Sequence, residues 1–394
     1  MGFEYIPLGE VSEVTKLAGF EFTKYINYND TGEIIALRAL NLRQGELDLT
    51  DIKRIDKAVS DSLPRSKLFT GDILLTYTGN GYGDCAIITD NNKYHLAPNI
   101  CKITPNAEKI DPYFLYSYIR SHEFYQQMSN HMVGSSQPTI PMKTIRQLKV
   151  PVPDLEEQKK IKKVVMGIDE KIRVNRQIND NLQQQVLAIF QQELLRDGEL
   201  PEGWSIGSLL DIANYLNGLA MQKFRPVDGE NGLPVLKIKE LRQGSCDASS
   251  ELCSPSIKPE YIVHDGDVIF SWSGSLLVDL WCGGTCGLNQ HLFKVTSEKY
   301  PKWFYYAWTA HHLARFVAIA ADKATTMGHI KREELAKAEV IIPDAASMER
   351  IDSILQPMYD LIISNRIENR KLAALRDTIL PQLMSGELDV SDLT

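Results

Sequence analysis

The sequence lacks the features that mark membrane, secreted and metal-binding proteins. It contains no apolar run of about 18 residues, which argues against a transmembrane helix. The opening residues MGFEYIPLGEV contain no basic segment followed by an apolar stretch, so we expect no signal peptide. None of the six cysteines forms a C-x-x-C pair, and their spacing suits no usual zinc site. We therefore predict a cytoplasmic protein with reduced thiols, no membrane contact and no bound metal.

A surplus of positive charge is also missing. The chain has 43 Lys and Arg against 51 Asp and Glu, which gives a net charge of −8. Residues 1–154, 155–200, 201–344 and 345–394 carry net charges of −2, 0, −3 and −3, so no segment is basic. Phosphate binding needs a basic footprint. A nucleic-acid partner would therefore require cations confined to one concave face, with further subunits enclosing the duplex.

The sequence does contain an internal repeat. Its 394 residues, 43% of them hydrophobic, provide apolar material for two or three cores. The string LRQG at 42–45 recurs at 241–244, and GDILLTYTG at 71–79 recurs as GDVIFSWSG at 266–274. These and other matches keep the same order with a period of roughly 190 residues. The chain is therefore predicted to be one unit written twice.

Each repeat divides into a mixed region and a helical region. Residues 1–154 and 201–344 alternate short runs rich in Val, Ile, Tyr and Thr with Gly, Pro and Asn turns, which is typical of α+β globules. Residues 155–196 and 345–380 contain few Gly or Pro and show the 3-4 apolar spacing of helices. We predict an α+β fold in which two α/β domains lie in tandem and each is followed by a long helix.

Both predicted long helices carry an apolar stripe that two asparagines interrupt. These are Asn175 and Asn179 in the first helix, and Asn365 and Asn369 in the second. Buried asparagines fix register in coiled coils. We therefore predict an antiparallel coiled coil with pseudo-twofold symmetry, in which Asn175 lies near Asn369 and Asn179 near Asn365. The alternative, in which each stripe packs only on its own globule, stays open.

The two predicted helices match at their starts and at one interior position. Asp154 and Asp344 each follow a proline and precede the helical pattern, as N-capping residues do. Gly167 and Pro357 also occupy equivalent positions. Since proline removes a helix hydrogen bond, we expect a kink or break there.

Two strings superficially resemble catalytic motifs. Residues 153–159 offer the P-D…E-x-K order of a nuclease, but the gap is too short for two strands. Residues 111–114, DPYF, lack the second proline of an adenine methyltransferase clamp. Both strings are better explained as helix starts, the second one opening a helix at 112–128 that has a counterpart at 301–320.

Four phrases relate the sequence to a known family. They are VPVPDLEEQKKI at 150–161, VLKIKELRQG at 235–244, SSQPTIP at 135–141 and LPQLMSGEL at 380–388. Together with the duplicated globule, they make the chain resemble the specificity subunit of type I restriction-modification systems over essentially its whole length. The chain departs from the family pattern at 343–349, where PDAASME replaces a PLxEQ-like stretch.

The resemblance implies a function for each segment. Residues 1–154 and 201–344 would be target recognition domains 1 and 2, each recognising half of a bipartite DNA sequence. Residues 155–200 and 345–394 would be the central and C-terminal conserved regions that set the spacing and dock the partner subunits.

The resemblance also implies partners and cofactors. The partners are double-stranded DNA, two methyltransferase subunits and restriction subunits. The chain itself would be noncatalytic and hold no cofactor, since S-adenosylmethionine and ATP belong to the partner subunits. Two rival functions compete with this interpretation of the sequence. A self-contained DNA methyltransferase or nuclease is disfavoured by the missing motifs, whereas a coiled-coil adaptor that binds proteins through two globular heads stays open.

Candidate DNA contacts are the Arg, Lys, Asn, Gln, Ser and Thr residues that cluster at repeat-matched places, because these side chains contact base edges and phosphates. The Gly-rich stretch 79–83 lacks the order of a nucleotide-binding loop and is either a DNA-facing turn or a plain hairpin. The candidates in the first repeat are Lys24, Arg38, Asn41, Arg43, Gln44, Arg65, Lys67, Thr78, Asn80, Tyr82, Ser135, Ser136, Gln137 and Lys143. The candidates in the second repeat are Lys223, Arg225, Lys237, Lys239, Arg242, Gln243, Ser273, Ser275, Lys323, Thr325, Thr326, His329 and Lys331. The shared LRQG string has a structural alternative, a turn closed by Gly45 and Gly244.

Overall fold

Two compact units make up the chain. The computed structural model describes residues 3–43, 45–79, 81–134, 137–195, 198–322 and 330–390. The first unit comprises residues 1–170 together with 373–394, and the second comprises 171–372. Each unit therefore contains one globular region and a stretch of both long helices. The domain boundaries drawn from the sequence stay predictions.

The first unit is built from short strands and helices. Its strands are β1 (Tyr5–Pro7), β2 (Ser12–Lys16), β3 (Ile34–Leu37), β4 (Leu42–Arg43), β5 (Glu46–Leu47), β6 (Lys53–Ile55), β7 (Ile73–Thr76), β8 (Cys85–Ile87), β9 (Tyr94–Leu96), β10 (Ile100–Pro105) and β11 (Lys149–Pro151). Its helices are α1 (Leu8–Val11), α2 (Gly19–Tyr25), α3 (Lys57–Ser62), α4 (Pro112–Ile119), α5 (His122–Ser129), α6 (Met142–Gln147) and the first part of α7 (Leu155–Leu194).

A central antiparallel sheet of the first unit is covered on both faces. Its strand order is β2-β10-β7-β8, and a second sheet has the order β6-β3-β9, with β3 and β9 parallel. Successive side chains of a strand point to opposite faces. Ile73 and Leu75 of β7 accordingly pack in the core that contains Phe114 of α4, whereas Leu74 packs with Leu37 of β3. All three are fully buried, which explains why β7 is apolar without alternation.

The second unit follows the same plan. Its strands are β12 (Ser205–Ser208), β13 (Asn214–Asn217), β14 (Leu233–Leu236), β15 (Leu252–Cys253), β16 (Ile262–Val263), β17 (Val268–Ser271), β18 (Leu277–Leu280), β19 (Cys286–Leu288), β20 (Leu292–Thr296) and β21 (Glu339–Ile342). Its helices are α8 (Leu209–Ile212), α9 (Ile238–Gln243), α10 (Lys302–His311), α11 (Leu313–Asp322), α12 (Arg332–Ala336), the rest of α7 and most of α13 (Ala345–Ser385).

The sheet topology confirms the duplication. The order β13-β20-β17-β18 matches β2-β10-β7-β8, and β14 pairs with β19 in parallel as β3 pairs with β9. Val268 and Phe270 of β17 face the helices, while Ile269 faces the second sheet. These three residues repeat the packing of β7 in the first unit. The predicted α+β class, with two domains in tandem and a long helix after each, is confirmed.

Each helix predicted inside a globule is in fact two helices. Residues 112–128 form α4 and α5, and residues 301–320 form α10 and most of α11. In the first unit the interruption has a visible cause, because Ser121 Oγ accepts a hydrogen bond from Phe124 N at 3.2 Å. A serine that caps a new helix in this way ends the preceding one.

The expected break in the long helices does not occur. Helix α7 passes through Gly167 and α13 passes through Pro357 without a change of secondary structure. Proline removes one backbone donor, but Leu355 and Tyr359 on either side of Pro357 are buried in the core of the second unit. Their burial offsets the missing hydrogen bond.

Within each unit the two long helices run antiparallel. In the first unit Asp169 of α7 contacts Arg376 of α13, and Ile161 shares a core with Leu383. In the second unit Glu193 near the end of α7 pairs with Arg350 near the start of α13 at 2.7 Å. The apolar stripes therefore pack both on each other and on the adjacent globule.

Candidate nucleic-acid interface

The loop after β3 gathers three predicted DNA contacts around two aspartates. Asn41 is fully buried, its Oδ1 accepts from Arg38 N at 3.0 Å, and its Nδ2 donates to the carbonyls of Asp48 and Asp51 at 2.8 Å. Arg38 Nη2 donates to Asp51 Oδ1 at 3.0 Å. Arg43 is exposed, with its Nε 3.6 Å from Asp48 Oδ2. The Asn41 amide is buried and holds the loop together, so its assignment as a DNA contact, which stays a prediction, would require the loop to open.

A second group of cations surrounds Asp61 at the end of α3. Lys57 Nζ donates to this carboxylate at 2.6 Å, and Lys67 Nζ donates to its other oxygen. The hydrogen bonds from Lys57 and Lys67 hold the pKa of Asp61 below its ordinary value. Arg65 lies nearby in sequence, is exposed, and forms no ion pair within the described residues. Arg65 could therefore contact a phosphate without breaking an ion pair, whereas Lys67 would first have to leave Asp61.

The Gly-rich loop between β7 and β8 carries a stacked tyrosine pair. The rings of Tyr82 and Tyr125 are stacked with centroids 5.2 Å apart, and Tyr125 OH donates to Tyr82 OH at 2.5 Å. Thr78 at the start of the loop accepts from Thr139 Oγ1 at 3.2 Å. The sequence did not indicate Tyr125, because it lies 43 residues from Tyr82 and carries no local motif. An exposed pair of rings is a surface on which a base or sugar can stack.

The remaining described candidates of the first unit are isolated on the surface. Lys24 on α2 lies with its Nζ 5.1 Å from the centroid of the Tyr25 ring. Gln137 and Lys143 are exposed. In the described part of the chain, these three side chains make no polar contact with another candidate. They suit phosphate contacts rather than a shared base-reading site.

Two carboxylates organise the cations of the second unit. Glu251 lies 3.0 Å from Arg225 Nη2 and 2.5 Å from Lys237 Nζ. Its hydrogen bond to Lys237 is the main reason that the pKa of Glu251 lies below its ordinary value. Asp247 contacts Lys239 at 3.5 Å and accepts from Gln243 Nε2 at 3.1 Å. The structure therefore brings four predicted contacts together in two pairs.

The loop after β17 divides into one buried and one exposed serine. Ser273 is only 1% exposed, and its carbonyl accepts from Ser271 Oγ at 3.3 Å. A side chain buried to this degree does not reach solvent in this structure, and the assignment of Ser273 as a DNA contact stays a prediction. Ser275 is exposed. Just before Ser273, Trp272 Nε1 donates to Asn217 Oδ1 at 3.0 Å.

Three further cations of the second unit, Lys223, Arg242 and Lys331, are exposed and form no ion pair within the described ranges. Several candidates lie outside the described residues. They are Gln44, Asn80, Ser135, Ser136, Lys323, Thr325, Thr326 and His329.

The local ion pairs explain how an acidic chain can still offer cations to DNA. Pairs at the surface, such as Arg43 with Asp48 and Lys239 with Asp247, contribute only about 0–1 kcal/mol each. A phosphate or a guanine edge can replace such a carboxylate at little cost. Buried Asn41 has no such freedom, since exposing it would leave backbone carbonyls without donors.

The asparagines of the long helices meet in the second unit. Asn175 Nδ2 donates to Asn369 Oδ1 at 2.9 Å, and Asn365 Nδ2 donates to Asn179 Oδ1 at 2.9 Å. These are the two contacts that the antiparallel register predicts. Asn179 Nδ2 also donates to the carbonyl of Ile362 at 3.2 Å. The asparagines are thus bonded to one another inside the helix pair, which suits residues that fix register.

The strings that resemble catalytic motifs are helix caps. Asp154 Oδ1 accepts from Glu157 N at 2.9 Å, and Asp344 Oδ1 accepts from Ser347 N at 2.7 Å. Asp111 Oδ1 accepts from the backbone N–H groups of the first turn of α4, and its Oδ2 lies 2.9 Å from Lys162 Nζ. These carboxylates are occupied as structural acceptors, as the sequence predicted.

The described residues offer neither a metal site nor a membrane-spanning helix. Among them no three His, Cys, Asp or Glu side chains are grouped closely enough to hold a metal ion. None of the helices in the described ranges is long and apolar enough to cross a bilayer.

Several known proteins are similar to this chain. The family described as "Type I restriction modification DNA specificity domain" matches residues 1–184 and 201–375. The type I restriction enzyme MjaIX specificity subunit of Methanocaldococcus jannaschii is 25% identical over 304 residues, which cover 71% of this chain and 69% of that protein. The HindI specificity subunit of Haemophilus influenzae is 20% identical over an alignment of 452 residues, gaps included, which covers 94% of this chain and 96% of that protein. The crystal structure of a type I restriction-modification S subunit from M. genitalium has a TM-score of 0.55 and 12% identity, covering 98% of this chain and 96% of that one, and it bears on the fold alone.

Proposed function

Because the chain belongs to the family of type I restriction-modification DNA specificity domains, we propose that it recognises a bipartite DNA target on behalf of a multisubunit restriction-modification complex. Specificity subunits of this family recognise DNA and are noncatalytic, so the chain is not an enzyme. In the proposed function each globule recognises one half of the target, and the long helices bind the partner subunits.

The observation that carries the proposal is the duplicated globule. Both units contain the same sheet order, yet their surface residues differ. A homodimer would present identical surfaces and favour a palindromic target, whereas two different globules suit two different half-sites. Arg43 in the first unit and Arg242 in the second are exposed at the matched LRQG string, and arginine is the side chain most often used to recognise guanine.

The exposed apolar side chains of the long helices support a docking role. Met166 and Leu187 of α7 are 46% and 55% exposed, and Leu361 and Leu375 of α13 are 44% and 49% exposed. Where such side chains form a contiguous patch, they are typical of protein interfaces. In our proposal they contact methyltransferase subunits, two per chain, and restriction subunits join that assembly. S-adenosylmethionine and ATP would be bound by those partners.

The proposal is tested by methyl transfer to DNA carrying a split target site. The purified chain together with its methyltransferase partner should methylate this DNA, and the chain alone should not. Methylation by the chain alone would instead support the rival enzyme. A chain that binds partner proteins but leaves the choice of DNA sequence unchanged would support the adaptor.

A further inference from the structure

In both units a series of contacts leads from a long helix to the glycine of the shared LRQG string. In the first unit the carbonyl of Gly45 accepts a hydrogen bond from Tyr116 OH. A Cβ at Gly45 would lie 2.8 Å from the same hydroxyl and 2.6 Å from Arg120 Nε, and its φ is +82°. The position therefore requires glycine, since any larger residue would displace both side chains.

Arg120 extends this contact to the helices of the first unit. Its guanidinium lies 5.0 Å from the centroid of the Tyr116 ring, and its Nη1 donates to Asp169 Oδ2 of α7 at 2.8 Å. Asp169 Oδ1 accepts from Arg376 of α13 at 2.8 Å, and Asp169 Oδ2 accepts from Tyr113 OH at 2.8 Å. The side chains of Arg120, Asp169 and Arg376 are only 15%, 16% and 17% exposed. A contiguous set of contacts thus joins both helices to the LRQG turn.

The second unit reaches the equivalent glycine through different residues. Arg370 of α13 donates to both oxygens of Asp265 at 2.7 Å and to the carbonyl of Cys282 at 2.6 Å. Asp265 also accepts from Gly284 N at 2.8 Å. The intervening Gly283 approaches the carbonyl of Gly244 so closely that a Cβ on it would lie 2.9 Å from that oxygen.

The two connections converge on one position although the surrounding structure differs. In the first unit Arg43 ends β4 and Gly45 precedes β5, whereas in the second unit Arg242 and Gln243 end α9 and Gly244 is its C-cap. In both, the glycine is left-handed, at +82° and +77°. In both, an arginine beside it in the string, Arg43 or Arg242, points into solvent. A turn that only closed a loop would not need an ionic connection to the long helices in each globule.

We propose that Tyr116 with Arg120, and Arg370 with Asp265, are positioning residues for DNA recognition. They fix Gly45 and Gly244 relative to the helix segments of the same unit. The nearby Arg43 and Arg242 then contact the DNA from a fixed position on each globule. The inference rests on the proposed function. It assigns specificity to residues that do not themselves contact DNA.

The first arm of the test uses Tyr116→Phe in the full chain with its methyltransferase partner. Phenylalanine keeps the ring against Arg120 but removes the hydroxyl that donates a hydrogen bond to the carbonyl of Gly45. Methylation kcat/KM is measured on DNA carrying the full site and on DNA with base changes in either half. Discrimination against changes in one half should fall by about 3- to 10-fold, the effect of one hydrogen bond, while discrimination in the other half stays constant. Tyr113→Phe is the matched control, because it removes a hydroxyl from the same Asp169 without touching Gly45.

The second arm uses Arg370→Lys, which keeps the charge but loses the two-pronged contact with Asp265. It should lower discrimination in the opposite half-site by a similar factor. Arg366→Lys is its control, since Arg366 also binds an aspartate, Asp279, with two hydrogen bonds at 2.8 and 2.6 Å on the same helix. Within the described residues of the second unit, no hydrogen bond of the Asp279 side chain leads to Gly244.

Each outcome decides between the alternatives. Loss confined to opposite halves in the two variants, with both controls unchanged, supports the inference. The inference is overturned if discrimination falls equally in both half-sites, or if discrimination stays constant while the thermal unfolding temperature shifts. Either result would mean that these residues serve stability alone. Wild-type protein that shows no half-site discrimination at all would overturn the proposed function itself, which keeps the two failures distinct.

Discussion

At the scale of single residues, burial separates structural side chains from those available to a ligand. Asn41 and Arg43 are two residues apart and both suit DNA contact by type, yet Asn41 is fully buried and Arg43 has a side chain that is 69% exposed. Residue type sets what a side chain can bind, but only its environment decides whether it is free to do so.

Replacing Asn41 by Ala should destabilise the chain by about 1–3 kcal/mol, because the carbonyls of Asp48 and Asp51 lose their donor inside the loop. Arg43→Ala is the matched variant and should change stability by less than about 0.5 kcal/mol while weakening DNA binding. Urea unfolding and a DNA-binding titration measure the two effects. If Asn41→Ala instead leaves stability unchanged and reduces DNA affinity, the assignment of Asn41 as a DNA contact is supported.

The charge cluster at Asp169 predicts a pH dependence. Burial alone would raise the pKa of Asp169, but Arg120, Arg376 and Tyr113 outweigh it and hold the pKa below its ordinary value. A carboxylate with a lowered folded-state pKa stabilises the fold above its unfolded pKa of about 3.9, and this contribution is lost as the pH falls through the folded value. Asp169→Asn should therefore cost about 3–5 kcal/mol at pH 7 and progressively less below about pH 4.

Unfolding titrations of the wild type and Asp169→Asn at several pH values measure this difference. Asp377→Asn serves as the control, because Asp377 contacts the same Arg376 but has a side chain that is 65% exposed. A difference between wild type and Asp169→Asn that stays constant from pH 7 to pH 3 would contradict the prediction.

At the scale of elements, the long helices show how local rules yield to packing. Gly167 and Pro357 favour interruption, but both helices continue because the flanking apolar residues are buried. Helices 112–128 and 301–320 show the reverse case. A continuous pattern predicted one helix in each case, whereas the structure has two, and in the first unit a capping serine separates them.

The buried asparagines of the helix pair should be energetically coupled. Asn179→Leu or Asn365→Leu alone leaves a buried amide without its partner and should cost about 1–3 kcal/mol. The double variant should cost less than the two single changes added together, by at least about 0.5 kcal/mol. Asn179→Leu combined with Ser353→Ala, an exposed residue nearer the start of α13, should be additive. Additive energies in the asparagine pair, measured by chemical unfolding, would show that the contact does not fix the register.

At the scale of the whole molecule, duplication separates the two recognition functions. If each globule recognises its own half-site, replacing residues 201–344 by the matching region of another family member should change one half of the recognised sequence and leave the other intact. Methylation of a library of split sites measures both halves at once. A change in both halves would contradict the model of two independent globules and would favour recognition by the chain as one surface.

Much of this protein was determined by its sequence. The repeat, the α+β class, the helix caps at Asp154 and Asp344 and the pairing of the asparagines all follow from spacing and residue type, because they depend on local periodicity or on self-similarity along the chain. Only the tertiary structure decided which candidates are buried, as with Asn41 and Ser273, and which distant partners they meet. The contacts of Tyr125 with Tyr82 and of Asp169 with Arg120 join residues 43 and 49 positions apart. The equivalent connections in the two units use unrelated residues, so no comparison of the repeats could have found them. Burial and long-range pairing depend on how the whole chain packs, and that information is distributed over the fold rather than written in any one segment.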